Sequence, residues 1–441
     1  MLPLYPAKLS LLVLLVAPLL GSALCSQQRS EFVGAPLHYE EPRTTDPVAR
    51  LTQRLENDEW TATWDPEKGW LPAMFDSLEI PRSSQVLVFS KTSFQNQLIS
   101  PARPRAIYFA DDVYVAWIPG APFVEVTSID PVQGPTFYTL DQRNSERPVF
   151  TREDNECLQC HASPRTRGWP GNLVRSVHPD EKGLPILRSG THLTTQASPL
   201  AERWGGWYVT GTHGDQRHMG NAFAVEGKGG EQVDVSKGAN VTDLSERFDV
   251  GRYVSPHSDI VALMVMEHQA QMQNLIARAS YQGRITQSYH ADMIESLGES
   301  AEHMSSSIQR RYERAAEDVV DHLLFRGEVA LTAPIVGTSS FTEDFTSAGT
   351  RDSKGRSLRD LNLETRLFQY PCSYLIDSPA FRSLPEPVLA AIWRQLDEIL
   401  NGEPGSRDFE HLSPIDRAAI REILVETVPG VPESWRREQR D

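Results

Sequence analysis

The chain has 441 residues, 39% of them hydrophobic and 23% charged, a composition that excludes a disordered or multi-span membrane protein and suits about two or three globular domains. Its formal net charge of −16 disfavours nucleic acid as a partner, because phosphate backbones call for a basic face. Four cysteines are too few to staple a chain of this length with disulfides.

Residues 1–25 read as an export signal. Lys8 supplies the positive start, Leu11 to Leu20 the apolar core, and Gly21-Ser22-Ala23 the small residues of a cleavage site. The core is shorter than the ~20 apolar residues of a membrane-spanning helix, and no later stretch reaches that length, so no membrane span is expected. Cys25 stands where a lipid anchor attaches, but Leu24 fills the position that lipoprotein signals give to a small residue, which disfavours anchoring. The expected location is outside the cytoplasmic membrane, periplasmic or extracellular, in an oxidising compartment.

Residues 26–45 are polar and irregular, a tether in this reading. A β-rich domain is expected over 46–144. It opens with a helix at Asp46-Pro47 that carries Val48, Leu51 and Leu55 on one face. Five short runs rich in β-branched and aromatic residues follow, at 86–90, 106–110, 113–118, 123–128 and 136–140, separated by turn chemistry, and they predict an antiparallel meander. Residues 145–250 show little periodicity, with strands expected only at 203–211 and 221–225. A loop-rich stretch of this length asks for an organising metal or cofactor. The remainder, 251–441, reads as helical. Val261, Met264, Val265, His268, Met272, Leu275 and Ile276 form one apolar stripe, and further helices are expected at 301–325, 386–400 and 414–425. The fold class is α+β.

One short motif carries chemistry. Cys157-Leu158-Gln159-Cys160-His161 is CxxCH. Two thiols three positions apart reach the two vinyl groups along one porphyrin edge and form thioethers, and the imidazole that follows takes the iron from below. At this composition a chance match is expected on the order of once in a thousand chains. Two other chemistries use parts of the pattern. A structural zinc site normally brings a second ligand pair, and the chain has no other CxxC. A thiol–disulfide pair wants CxxC opening a helix after a buried strand, whereas Arg147 to Asn155 is polar and contains Pro148.

On this motif the chain resembles a c-type cytochrome. The resemblance implies a single covalent haem c with its iron, Cys157 and Cys160 as attachment thiols, His161 as proximal iron ligand, and attachment after export. The phrases ECLQCHASPRTRG, SPLAERWGGWYVTGTHG and LETRLFQYPCSYLI extend the likeness to exported bacterial proteins that contain a cytochrome c domain.

The distal ligand has three candidates. Five of the chain's 12 histidines fall within 161–219, and the segment HGDQRHMGN (213–221) holds His218 and Met219. Met219 would raise the reduction potential relative to a bis-histidine iron completed by His218. His268 lies on the apolar helical stripe between Met264 and Met272, where a histidine needs a buried partner. Trp204, Trp207 and Tyr208 are candidate pocket walls, and Arg165, Arg167 and Arg175 candidate partners for haem propionates. Cys372 reads as a buried free thiol.

Three functions follow from one covalent haem. Electron transfer with a redox partner protein is the leading one. A haem enzyme, peroxidase-like, would use His213, Arg217 or His218 above an open sixth position. A redox or gas sensor would use the haem as reporter and the β-rich part for recognition.

Overall fold

The computed structural model describes residues 32–41, 45–227, 230–298, 304–402 and 409–438. The export signal and Cys25 lie outside these residues. Helix α1 (Pro47–Glu56) starts where the sequence says it should. Asp46 accepts hydrogen bonds from the backbone N–H groups of Val48 (2.9 Å) and Ala49 (3.1 Å), and Val48, Leu51 and Leu55 turn inward. The other oxygen of Asp46 accepts from the Tyr138 hydroxyl at 2.7 Å, so the cap also fixes the helix to the sheet. A short helix, α2 (Leu71–Ser77), follows.

The sheet contains the five expected strands, β1 (Val86–Val88), β2 (Arg105–Ala110), β3 (Val113–Trp117), β4 (Phe123–Asp130) and β5 (Gly134–Asp141). Two more strands extend it at its edges. β6 (Phe150–Arg152) pairs with β5, and β9 (Trp207–Tyr208) pairs with β1, giving seven antiparallel strands in the order β6-β5-β4-β3-β2-β1-β9. The strand expected over 203–211 shrinks to Trp207–Tyr208 because Trp204 and Gly206 sit at φ +64° and +88°, a turn that ends pairing. Two hairpins lie outside the sheet, β7 (Arg175–Val177) with β8 (Thr191–Leu193), and β10 (Ala224–Gly227) with β11 (Gly230–Val233).

The two faces of the sheet differ. Register places Leu87, Ala106, Tyr108, Val115, Val126 and Tyr138 on one face, all buried against α1, α2 and Phe248. The opposite face carries Val86, Phe109, Tyr114 and Ile129, which pack into the core containing the long helix α4 (Ile260–Leu297). Beyond that contact, Arg105, Ile107, Ala116, Glu125, Thr127 and Thr139 on the same face are only half-buried. A side of the sheet that is apolar at one end and open and polar at the other has room for a partner group.

Helix α3 (Leu158–His161) is the single turn of the CxxCH motif. Helix α4 opens on Asp259, which accepts from Val261 (2.8 Å) and Ala262 (3.3 Å). Its first half is buried nearly all round, so Leu263, Met266 and Ala270 join the expected stripe in the core. Helices α5 (Ser306–Leu323), α6 (Phe341–Ser347), α7 (Pro379–Arg382), α8 (Glu386–Asn401), α9 (Pro414–Thr427) and α10 (Glu433–Glu438) complete the chain. Among the described residues, no helix is long and apolar enough to cross a membrane. The architecture is α+β, with the antiparallel sheet early and helices late.

Two expectations change. Where residues 32–41 are described they are not a loose tether, because Phe32, Leu37 and Tyr39 are buried against Phe137 and Tyr281. The β-rich and helical parts also share one core, in which Val86, Val88 and Phe109 pack with α4. The expected boundary at 251 therefore marks a change of secondary structure within that core. Cys372 is buried in it as a free thiol.

Candidate haem site

The approach to the motif is an edge strand. After β6 the Glu153 N–H donates to the Phe137 carbonyl (2.8 Å), and the Thr139 hydroxyl donates to the Glu153 carboxylate (2.8 Å), so the chain arrives at Cys157 held to β5. The His161 N–H then donates to the Cys157 carbonyl at 2.9 Å, closing one helical turn that gathers both thiols and the imidazole. Cys157 is half-buried, Cys160 exposed, and both thiols are free.

His161 is fixed on one side of its ring. Its Nδ1 lies 2.8 Å from the Gly171 carbonyl oxygen, and the Gly171 N–H donates back to the His161 carbonyl at 2.8 Å. A carbonyl only accepts, so Nδ1 carries the proton and Nε2 keeps its lone pair. Burial holds the imidazole below its ordinary pKa, which favours the neutral ring that a metal ligand must be. The Phe137 ring packs on it at 4.6 Å. Asn274 of α4 holds the returning loop by accepting from the Asn172 N–H and donating to the Asn172 carbonyl, each at 2.8 Å. A side chain at Gly171 would come within 2.9 Å of the Asn274 oxygen, which is why a glycine stands there.

This turn faces the open half of the sheet. The charges of Glu125 and Arg105 act on His161. These two form an ion pair at 2.7 Å, with the Ser93 hydroxyl donating to the second Glu125 oxygen at 2.7 Å. Arg175 is near enough for the charges of Arg165 and Cys160 to act on it. Of the three arginines proposed for propionates, Arg175 thus lies within reach of both the Cys160 thiol and Arg165, while Arg167 pairs with Asp318 at 3.4 Å. Trp207, on the same sheet face, donates its indole N–H to the Arg175 carbonyl at 2.7 Å. Trp204 packs elsewhere, against His218, and Tyr208 lies in the core of the opposite face.

Burial pushes the Cys157 thiol up to about 12, with Glu153, Glu125 and Glu156 adding to the effect. Among the described residues, no three His, Cys, Asp or Glu side chains converge as they would around a bare metal ion. A porphyrin edge demands less, namely two accessible thiols, one neutral imidazole and a flat space.

The three distal candidates fall in different surroundings. His268 has both nitrogens engaged, Nδ1 with Gln196 at 3.1 Å and Nε2 with the Ser373 hydroxyl at 2.8 Å, and stacks on Phe325 (4.4 Å) and His322 (5.0 Å). It is a satisfied core histidine. His218 accepts the Gly220 N–H on Nδ1 at 3.0 Å and packs against Trp204 (5.3 Å) and His213 (4.7 Å). Burial, with the neighbouring His213 and Arg217, pushes it down to about 3. Met219 is the candidate tied to the strand beside the motif. Its sulfur accepts from the Ser176 hydroxyl at 3.7 Å, and Ser176 adjoins Arg175.

Phe137, Gly171, Asn274, Glu125 and Arg105 do not stand out in the sequence, because each gains its role through contacts with residues distant in the chain. No protein-family model matches this chain, and no curated protein or solved structure matches it either, so the site stands on its own geometry and chemistry.

Proposed function

We propose that the protein is an exported electron carrier with one covalently attached haem c. The observation that supports this most is His161, whose Nδ1 is committed to the Gly171 carbonyl while Nε2 has no hydrogen-bond partner among the described residues, in one helical turn with two free thiols. That is the arrangement that fixes a ligating histidine's tautomer and orientation.

In this reading Cys157 and Cys160 hold the macrocycle and His161 holds the iron through Nε2. The haem supplies a one-electron couple. Phe137 and the cluster of Leu158, Trp169 and Tyr281 keep water from the proximal side. Arg165 and Arg175 offer guanidinium groups to propionates, and Met219, whose sulfur meets the Ser176 hydroxyl next to Arg175, is the distal candidate in this reading. The acidic chain, at −16, suits docking to a redox partner with a basic face.

Optical spectra of the ferric and ferrous protein, with and without carbon monoxide, test the reading. Electron transfer predicts low-spin iron that ignores carbon monoxide. High-spin iron that binds it would favour the enzyme or sensor instead.

A further inference from the structure

Helix α4 carries a carboxylate deep in the core. Glu267 is 1% exposed, and its Oε2 pairs with Nη1 of the buried Arg203 at 3.1 Å. Arg203 is engaged through all three of its nitrogens, because Nε also donates to the Ser198 carbonyl (2.9 Å) and Nη2 to the Gln196 carbonyl (3.1 Å). Glu267 is not. Its Oε1 is buried and accepts no hydrogen bond from the described residues. A carboxylate oxygen taken out of water without a donor costs desolvation that nothing returns.

That oxygen belongs to a residue lining a small void. Between α4 and the loop that follows the CxxCH turn lie about 20 Å³ of space, enough for one water. Glu267, Gln271 and Asn274, which share one face of α4, line one side, and Asn172 and Arg165 line the other. Asn172 Nδ2 is likewise buried without a partner. One bare acceptor and one bare donor around a single void call for a group that both donates and accepts. Water does so, whereas a cation would meet the Asn172 amide N–H and the charges of Arg203 and Arg165. The exposed Arg165 and Leu193 in the wall bring the void to the surface.

The void also adjoins the motif. Asn172 follows Gly171, whose carbonyl takes His161 Nδ1 at 2.8 Å, and Asn274 bonds both backbone groups of Asn172. Glu125 and Glu153 stand near the motif too, but Glu125 is committed to Arg105 and Ser93, and Glu153 to the Thr139 hydroxyl. Burial pushes the Glu267 carboxyl up to about 7 against the pull of Arg203, and the Trp204 indole also acts on it. Its other titratable neighbours are His268, engaged with Gln196 and Ser373, and His322, stacked on His268, both driven toward the neutral form by burial. The charge of Arg203 acts on Glu328 as well, so a proton on Glu267 does not leave the arginine without a second carboxyl.

We propose that the void holds one water between Glu267 and Asn172, and that Glu267 takes up a proton through it when the haem is reduced. The second half rests on the haem reading above. The electron comes from a redox partner protein and stays on the iron, which passes from ferric to ferrous. The proton comes from solvent at the mouth of the void and converts the Glu267 carboxylate to the acid. Reoxidation releases both. The coupling is reciprocal: if the electron raises the carboxyl's proton affinity, the proton raises the haem's reduction potential.

Redox titration of the haem-bearing mature chain at a series of pH values tests the coupling. The potential should fall as pH rises through neutrality, by up to about 59 mV per unit, the one-electron equivalent of a tenfold change in proton activity, and level off on either side. Glu267→Gln should flatten the profile, whereas Glu328→Gln should keep it. Glu267→Gln strips a buried arginine of its partner, so the double variant Arg203→Met with Glu267→Leu, which replaces the pair by apolar side chains, serves as a second test and should be flat too. In the wild type itself, the reduced-minus-oxidised infrared spectrum should gain one protonated carboxyl that shifts in D2O. A crystal structure should show one water within hydrogen-bond reach of Glu267 Oε1 and Asn172 Nδ2; a dry void overturns the water. A haem-bearing wild type whose potential ignores pH, or a slope that survives in Glu267→Gln, overturns the proton site and leaves the electron-carrier reading standing. A folded wild-type chain without haem overturns that reading and the coupling with it.

Discussion

His161 and His268 are both packed among aromatic rings, and both are driven toward the neutral form by burial, yet the fold treats them oppositely. At His268 two side chains, Gln196 and Ser373, take both ring nitrogens, and nothing is left for a metal. At His161 a single backbone carbonyl takes Nδ1, and among the described residues nothing takes Nε2, in the same helical turn as two free thiols. Burial and aromatic packing therefore do not distinguish a ligand from a core residue. The count of committed nitrogens does.

The strongest way to break this contrast is to remove the thiols. Cys157→Ser with Cys160→Ser should eliminate covalent haem completely, seen as loss of haem peroxidase stain on a denaturing gel; stain retained by the double variant would show that another site holds the group. A second route exploits His268. Replacing it with Phe strands the buried Gln196 and Ser373 groups and should lower stability by about 2–4 kcal/mol in denaturant titration, while the haem spectrum stays as in the wild type. A changed spectrum would make His268 a ligand after all.

Asn274→Ala sharpens the comparison from the other side. It removes two hydrogen bonds that hold the loop carrying the Gly171 carbonyl, at a cost of about 1–3 kcal/mol. Unlike His268→Phe it should also shift the reduction potential, because the carbonyl that orients His161 loosens. Met219→Leu nearly conserves volume and should cost under about 1.5 kcal/mol, but ferric iron should turn high-spin if the sulfur is the distal ligand.

The smallest effect is in pH dependence. His218, pushed down to about 3, His322, to about 4, and His268, held well below its ordinary value by burial, bind protons in the unfolded chain near 6.5 but not in the folded one. Each adds stability as pH rises toward 6.5. Glu267, pushed up to about 7 mainly by burial, and Asp112, to about 6, act in the opposite sense because their folded forms hold the proton longer. His161, His178 and His213 are held down as well and Glu328 is held up, so six histidines against three carboxyls leave a net gain of stability as pH rises toward 6.5. Removing one upward contribution in His268→Phe should flatten that gain by up to about 1.4 kcal/mol per pH unit. An unchanged slope would mean that His268 does not resist protonation in the fold.

Local signals were read well from the chain. The five meander strands, the Asp46 cap and the helix starting near Ser258 follow from turn chemistry and apolar spacing. β6 escaped because a strand of three residues exists only through its partner, and nothing in RPVFTREDN announces β5; of the strand expected over 203–211 only the two residues of β9 find a partner, in β1. Residues 32–41 looked like a tether because their three buried aromatic or apolar side chains are spaced without period and find their partners about a hundred residues or more away. The motif itself needed only five residues. The Gly171 carbonyl, the Asn274 clamp and the open sheet face around Glu125 needed the fold.

The central claim is that two thiols of one helical turn carry a haem whose iron is held by His161. The intact mass of the exported, folded protein tests it most directly. The expected value is that of the processed polypeptide plus one haem, with the added mass confined to the peptide containing Cys157 and Cys160. A mass equal to the bare polypeptide, or to the polypeptide with zinc, would contradict it.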